Sequence, residues 1–430
     1  MTRARVAARR AGELVRRHRP DYKIIMLMGI LMMLGLVVMY AIGPSRANAL
    51  NSSYGTDFYS STYFFLKQSG SLIASLLVFA LVSVLPVSFF AKNATKFLLA
   101  GMAACALLLF FGDILHVDAI AKCTLGACRW FSLGPVGTIQ PAEILKFGLL
   151  IYLAVFLADR IKKGSVNDWH DTIMPVLVVL GISAIFVILF QKDLGTGLTI
   201  LCMAAVMLFV SDLKWNRIGA LALLGLVAIG VLIVAAPHRM ERVATFLSGD
   251  NHAIDDAGGY HIAHAKMAIG SGGLFGVGIG NSVEATGYLP EAINDSVFAI
   301  MGETFGFVGL VAIMSLFAFL LLRLIDIFGH LSDPLHRLMV AGVFGWLASH
   351  VFLNIGAMIG LIPLTGITLP LLSFGGTSMM FIAGALGLAY QLSRYTSFSS
   401  KLDSNEDENS KRWRRVGRTR YSGRSGTPRN

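Results

Sequence analysis

The chain has 430 residues, of which 55% are hydrophobic and only 14% charged, with a mean hydropathy of +0.68 and a net charge of +11. A soluble domain carries about a quarter charged residues, so this composition excludes an ordinary soluble enzyme and indicates an integral membrane protein. The basic excess lies in "RARVAARRAGELVRRHR" (3–19) and "KRWRRVGRTRYSGR" (411–424), which flank apolar runs. It is read as attraction to anionic lipid headgroups rather than to nucleic acid.

In chain order, the sequence predicts a basic tail (1–23), one membrane domain (24–395) and a second basic tail, read as disordered (396–430). Apolar runs of about 20 residues suffice to cross a bilayer as helices. Ten are expected, at about 24–43, 65–85, 97–115, 142–158, 172–190, 194–211, 217–236, 297–322, 338–357 and 373–393. The runs are continuous, without the alternation of barrel strands, so the fold expected is an all-α polytopic membrane protein. Most of the 36 Lys and Arg then fall in connections on the side of the N-terminus. The positive-inside rule places that side, and with ten spans both termini, in the cytoplasm. The "ANA" at 47–49 imitates a signal cleavage site, but the basic lead and apolar run before it are long for that class; the first span is read as uncleaved.

The long connections face outward, the largest running from 237 to 296, so a site is expected there. Cys123 and Cys128 share the outer stretch "CTLGAC", and bridged and free forms both stand. Next, "CRWFSLGPVGTIQPAEILKFGLL" (128–150) places Pro141 in a first helical turn, with Glu143 and Lys146 three residues apart on one face. Two readings stand for that pair: an ion pair anchoring the fourth span, or a lysine at membrane depth that binds an anionic headgroup. Similarly, "FQKDLGTG" (190–197) is a tight outer turn or the border of the same cavity, through Lys192 and Asp193.

Within the large loop, "HAIDD" (252–256) is a loose cation site or a solvated acidic patch. The glycines of "GGYHIAHAKMAIGSGGLFGVGIGNS" (258–282) are flexible turns or a backbone approach to phosphate. His261 and His264 share a helical face without a metal-binding pattern. "YLPEAINDSVFAIMGE" (288–303) then carries three carboxylates around the start of the eighth span. Glu291 precedes it, Asp295 falls in its first turn, and Glu303 lies deeper, in packing or in a polar contact between spans. "NIGAMIGLIPLTGITLPLLSFGGTSMM" (354–380) reads as non-helical backbone at membrane depth, which lines a cavity or is shielded by protein.

Together, "RW…GTIQPAEILK", "QKDLGTG", "AIGSGGLFGVGIGNS…YLPEAINDSVFAIMGE" and "NIGAMIGLIPLTGITLPLLSFGGTS" resemble the SEDS family (shape, elongation, division and sporulation), in order and across about residues 20–395. The "GNS…YLPEA" segment is closer to its division type. The resemblance implies a peptidoglycan glycosyltransferase that polymerises lipid II at the outer face of the bacterial cytoplasmic membrane, at the division septum. It also implies a class B penicillin-binding protein as partner, among other divisome membrane proteins. The family's essential Asp falls on Asp295, and the Glu and Lys of its "QPSE-x-x-K" motif on Glu143 and Lys146. Departures are Ala142 for Ser, and Ile293, Asn294 and Ser296 for the usual His, Thr and Phe.

Transfer needs a base at the attacking sugar hydroxyl and cations at the lipid pyrophosphate leaving group. Asp295 is the candidate base. Lys146 and Arg129 are candidate pyrophosphate contacts, followed by Lys266, Arg239 and Arg242; Glu143, Glu291 and Ser373 complete the candidate substrate site. No cofactor is evident, and a magnesium or manganese ion at the pyrophosphate is left open. Without the resemblance, an enzyme and a lipid carrier fit these residues about equally, and a division scaffold leaves Lys146 and Asp295 without a task.

Overall fold

The computed structural model describes residues 19–124, 127–134, 137–248 and 257–396. Nearly all of both basic tails, and the "HAIDD" stretch, lie outside the described residues. In chain order the helices are α1 (Tyr22–Tyr54), α2 (Tyr63–Val84), a short α3 (Val87–Lys92), and α4 (Ala94–Leu109), which runs into a π-helical turn at Phe110–Ile114. There follow α5 (Pro141–Lys163), α6 (Met174–Ala184, between π-helical turns), α7 (Leu194–Val210), α8 (Trp215–Val234), α9 (Pro237–Ser248), α10 (Ala257–Ser271), α11 (Val297–Gly329), α12 (Pro334–Met358) and α13 (Gly376–Leu392).

Each of the ten expected spans has its helix. Eight are long and apolar enough to cross a membrane by length and composition. The other two, α7 and α13, have 17 residues each, at the short end of the spanning range. Local signals set several ends, although α1, α5 and α11 run beyond the expected bounds of 43, 158 and 322. Pro141 opens α5, Gly164 closes it in the left-handed region (φ 71°), and Asp193 caps α7 by accepting from the Thr196 N–H.

Among the helices of spanning length, α5 and α12 are the most enclosed, each with 78% of its apolar window buried; α8 has no buried residue and meets the core through half-buried Ile218 and Leu221. Close helix contacts use small residues, as expected where lipid supplies no hydrophobic drive between helices. Methyl groups added at Gly101 of α4 and Gly148 of α5 would lie 2.6 Å from the Leu145 Cα and 2.5 Å from the Phe97 carbonyl oxygen.

Among the described residues, one small sheet interrupts the helical architecture, between α4 and α5. Strands β1 (Ala121–Thr124), β2 (Ala127–Ser132) and β3 (Thr138–Ile139) pair antiparallel in that order. Cys123 and Cys128 face each other across β1 and β2 and are joined as a disulfide. The long connection at 237–296 contains the helices α9 and α10.

The sequence implied an unbroken eighth span, but α11 is interrupted at Gly306 (φ 67°, ψ −169°). The glycine-rich segment after α10 seats in the gap. Val277 and Gly278 donate to the Glu303 and Thr304 carbonyls, and Phe307 and Val308 donate to those of Gly273 and Leu274. The backbone groups freed by the break are thus satisfied by protein, as membrane depth requires. Gly276 of this stretch is thus packed against the break: an added methyl there would sit 2.2 Å from the Thr304 carbonyl oxygen. Gly306→Ala places a methyl 2.3 Å from the Gly276 nitrogen in a conformation L-residues avoid. It is expected to cost about 2–6 kcal/mol, read as a fall in Tm of the detergent-solubilised protein. Gly329→Ala, where an added methyl meets nothing, should leave Tm unchanged.

Candidate functional site

Asp295 does not occupy the first turn of the eighth span as expected. It lies in the turn before it, with Ser296 at the N-cap and Val297 opening α11. A helix dipole acting on its carboxylate is therefore not the governing influence. The turn folds on itself through Asn294 N and Ser296 N, which donate to the Glu291 carbonyl at 2.9 and 3.2 Å. Glu291 takes a positive φ of 49°, and its exposed carboxylate accepts from the Asn294 side chain.

Three other elements hold the turn. From α12, Asn354 Nδ2 donates at 2.7 Å to the Asp295 carbonyl and at 2.7 Å to that of Ile367. From the non-helical segment before α13, Phe374 N donates to the Ile293 carbonyl at 2.8 Å. From α10, His261 Nε2 lies 2.6 Å from Ser296 Oγ. The segment 359–375 thus backs the Asp295 turn, with Gly366 against the carboxylate.

The Asp295 side chain is half-buried, and its Oδ1 is enclosed without a hydrogen-bond partner. Burial, reinforced by the Glu291 carboxylate, pushes its pKa up to about 7; Arg242 and two backbone N–H groups pull the other way without cancelling this. Such a carboxyl is a proton acceptor near neutral pH, unlike a solvated aspartate.

Two of the candidate cations, Arg129 and Arg242, lie within electrostatic reach of a third, Arg239. The Arg239 guanidinium has its pKa lowered by burial and then by Arg129 and Arg242. Arg129 spans from β2 to the Gln191 and Lys192 carbonyls at 3.1 and 2.9 Å. Arg239 reaches the carbonyls of Leu232 and Ile188, and exposed Arg242 donates to that of Leu364 at 3.3 Å. Of the candidate cations, Arg242 is the one whose charge acts on Asp295. Exposed Lys266 runs alongside Gly360.

Lys146 is elsewhere and enclosed. Its Nζ lies 2.8 Å from Glu143 Oε1, with the two side chains 1% and 3% exposed, 3.0 Å from His350 Nε2, and over the Trp346 ring. Ser373 is buried too; its Oγ accepts from Leu369 N at 2.8 Å and so shapes the loop backing the Asp295 turn. Glu303 meets the outer loop instead of another span, accepting from Ser282 Oγ and from Val283 N at 2.8 Å. Asp193 serves its own turn, capping α7 and accepting from Gln140. Among the described residues no group of three or more His, Cys, Asp or Glu side chains converges to hold a metal ion.

Sequence reasoning gave no role to Asn354, His350 or His261. Asn354 opens a motif that carried the resemblance, so a signal was present. His350 lies in a mostly apolar span, and its partner is 204 residues away.

Residues 22–398 match the cell cycle protein family of FtsW, RodA and SpoVE. The chain is 32% identical to the stage V sporulation protein E of Bacillus subtilis over 88% of this chain and 98% of that protein. It is 31% identical to a probable peptidoglycan glycosyltransferase FtsW of Saccharophagus degradans, over 83% of this chain and 90% of the relative. Among solved structures, the rod shape determining protein RodA of Thermus thermophilus superposes with a TM-score of 0.62 at 27% identity, covering 88% of this chain and 98% of its own. A chain of a peptidoglycan synthase complex that coordinates polymerisation and crosslinking superposes with a TM-score of 0.65 at 27% identity, over 87% and 98%.

Proposed function

The chain belongs to the FtsW, RodA and SpoVE family of cell cycle proteins, and from that premise we propose that it polymerises lipid II into glycan strands, with Asp295 as general base. It is a multi-pass membrane protein and a peptidoglycan glycosyltransferase of the cell-division type. The relatives called glycosyltransferases match over most of their length, which supports carrying the activity to this chain. The reaction faces the outside of the cytoplasmic membrane at the septum, with both termini inside. A class B penicillin-binding protein that crosslinks the product is the partner, in keeping with the synthase complex that the fold resembles.

The observation that carries the mechanism is the Asp295 carboxylate: half-buried, with one oxygen unpartnered and a pKa near 7, beside an exposed arginine. A sugar hydroxyl of the incoming lipid II attacks the anomeric carbon of the growing strand. The C–O bond to the lipid pyrophosphate breaks with inversion, and Asp295 takes the hydroxyl proton. The charge that develops on the pyrophosphate is met by the positive rim of Arg129, Arg239 and Arg242, with Arg242 nearest the base. Glu291 is exposed at the entrance and raises the basicity of Asp295. Lys146 and Ser373 act from behind, by holding the segment against which Asp295 rests. A divalent cation would add charge stabilisation at the same phosphates; the carboxylates of Asp295 and Glu291 are two donors without a third, so no step is routed through one.

Feeding lipid II to the purified protein with its transpeptidase partner tests the reading. Glycan strands are expected; movement of lipid II across vesicle membranes without polymer would instead make the protein a carrier. The pH dependence is a second expectation. The active base is the ionised carboxylate, so kcat/KM should be flat above the Asp295 pKa of about 7 and fall about tenfold per unit below it. An acid limb nearer 4, where an ordinary aspartate titrates, would separate Asp295 from the rate.

A further inference from the structure

We propose that His261 is a positioning residue for this transfer: by donating from Nε2 to Ser296 Oγ it fixes the turn that presents Asp295, in a chain whose turn has lost the histidine of the family it resembles. The inference rests on Asp295 being the base.

The donor assignment follows from counting protons. Ser296 Oγ lies 2.8 Å from the Pro290 carbonyl oxygen, which can only accept, so the one hydroxyl proton is committed there. The 2.6 Å contact between that oxygen and His261 Nε2 then needs its proton from the imidazole. Burial, against the pull of Glu291, pushes the His261 pKa down to about 4, so the ring is neutral at working pH. Nε2 carries its one proton.

The clamp accounts for two departures from the family pattern. Ile293, which stands where His is usual, is buried and apolar and offers no polar tie from within the turn. Ser296, which stands where Phe is usual, takes one from outside. Ser296 also holds the N-cap position of α11, yet its side chain makes no cap bond. The hydroxyl that would ordinarily cap the helix is spent on closing the turn and receiving His261. That closure matters because Glu291 sits at positive φ, a conformation that persists only when its surroundings over-determine it. Asn354 and Phe374 hold the turn from α12 and from the 359–375 segment. His261 is the side-chain clamp from α10.

The groups facing Asp295 are few. Among the described residues, Glu291 of its own turn and Arg242 of α9 are the charges that act on Asp295; α10 places the neutral His261 on the adjoining Ser296, and α12 and the 359–375 segment present Asn354 and Gly366, which carry no charge. Loosening the turn therefore hydrates Asp295 without removing a charge from it, and lowers its pKa.

In lipid II polymerisation by the protein with its transpeptidase partner, His261→Ala is expected to lower kcat about 10- to 100-fold with little change in KM, and to move the acid limb below 7. His261→Gln, whose carboxamide N–H reaches the same oxygen, should recover most of the rate and the limb. Ser296→Ala should resemble His261→Ala, and the double variant should be no worse than either single one. Wild-type kcat and acid limb in His261→Ala, equal losses in His261→Gln and His261→Ala, or losses that multiply in the double variant would each overturn the inference. Should His261→Ala not fold, Ser296→Ala and His261→Gln decide the matter alone. Asp295→Asn run alongside separates the two claims: an active Asp295→Asn removes the base itself, whereas a dead one with normal His261 and Ser296 variants removes only the clamp.

Discussion

Asp295→Asn is expected to lower lipid II polymerisation by about 10²–10⁴-fold, the usual worth of a positioned base, and at the same time to raise thermal stability above neutral pH. The two effects share one cause. The Asp295 pKa stands at about 7 in the fold, against an ordinary value of 3.8, chiefly through burial. Folding therefore favours the protonated carboxyl. Its contribution to stability is fully present below the ordinary value and is lost as pH rises through 7. At pH 8 the wild-type protein holds an ionised carboxylate where one oxygen has no partner, whereas asparagine stays neutral. A Tm advantage of the variant that appears at pH 8 and vanishes near pH 4 is the expected result, alongside loss of glycan strands from purified enzyme. Near-normal polymerisation would remove Asp295 as the base. A variant less stable than wild type at pH 8 would mean that Arg242 stabilises the carboxylate more than burial penalises it.

The spans and their caps were legible because they depend on neighbours in sequence. Runs of apolar residues and Pro141 at a helix start each act within one turn of chain, and so does the cap that Asp193 makes on Thr196, which was read only as a tight turn. The break in α11 was not legible. Its local sequence, "MGETFGFVGL" (301–310), sits in an apolar run whose glycines alone do not mark a break, and the partner that fills the gap is a glycine segment about thirty residues earlier, read locally as flexible turns or a backbone approach to phosphate. The site divides in the same way. Glu143 and Lys146 meet because they are three residues apart, and the motif order marked Asp295. What surrounds Asp295 depends on Asn354, 59 residues away, and on a histidine in a loop helix whose spacing suggested nothing. Exposure was invisible as well: Lys146 and Arg242 are both candidate pyrophosphate cations by sequence, yet one is enclosed and the other faces solvent.

That difference sets the second large expectation. Glu143→Gln is expected to destabilise the protein by about 3–5 kcal/mol, because it leaves Lys146 buried without its counter-charge. The combined Glu143→Gln and Lys146→Met variant should recover most of this, since a buried pair replaced as a unit loses both its attraction and its desolvation cost. The consequence for catalysis follows from what the pair supports. Lys146 donates to His350 Nε2, so His350 Nδ1 carries the ring proton and points it at the Thr368 carbonyl, 3.4 Å away. The neighbouring Ile367 carbonyl shares Asn354 with the Asp295 carbonyl. A chain of contacts thus runs from the fourth span to the base without Lys146 reaching solvent. Replacing Lys146 with methionine should lower kcat by displacing Asp295 while leaving the KM for lipid II nearly unchanged, together with a lower Tm. A lysine that gripped the pyrophosphate directly would give the opposite pattern: a raised KM, an unaltered Tm, and no recovery in the double variant. Measuring Tm and the KM–kcat split on the same preparations decides between the enclosed pair and a substrate contact.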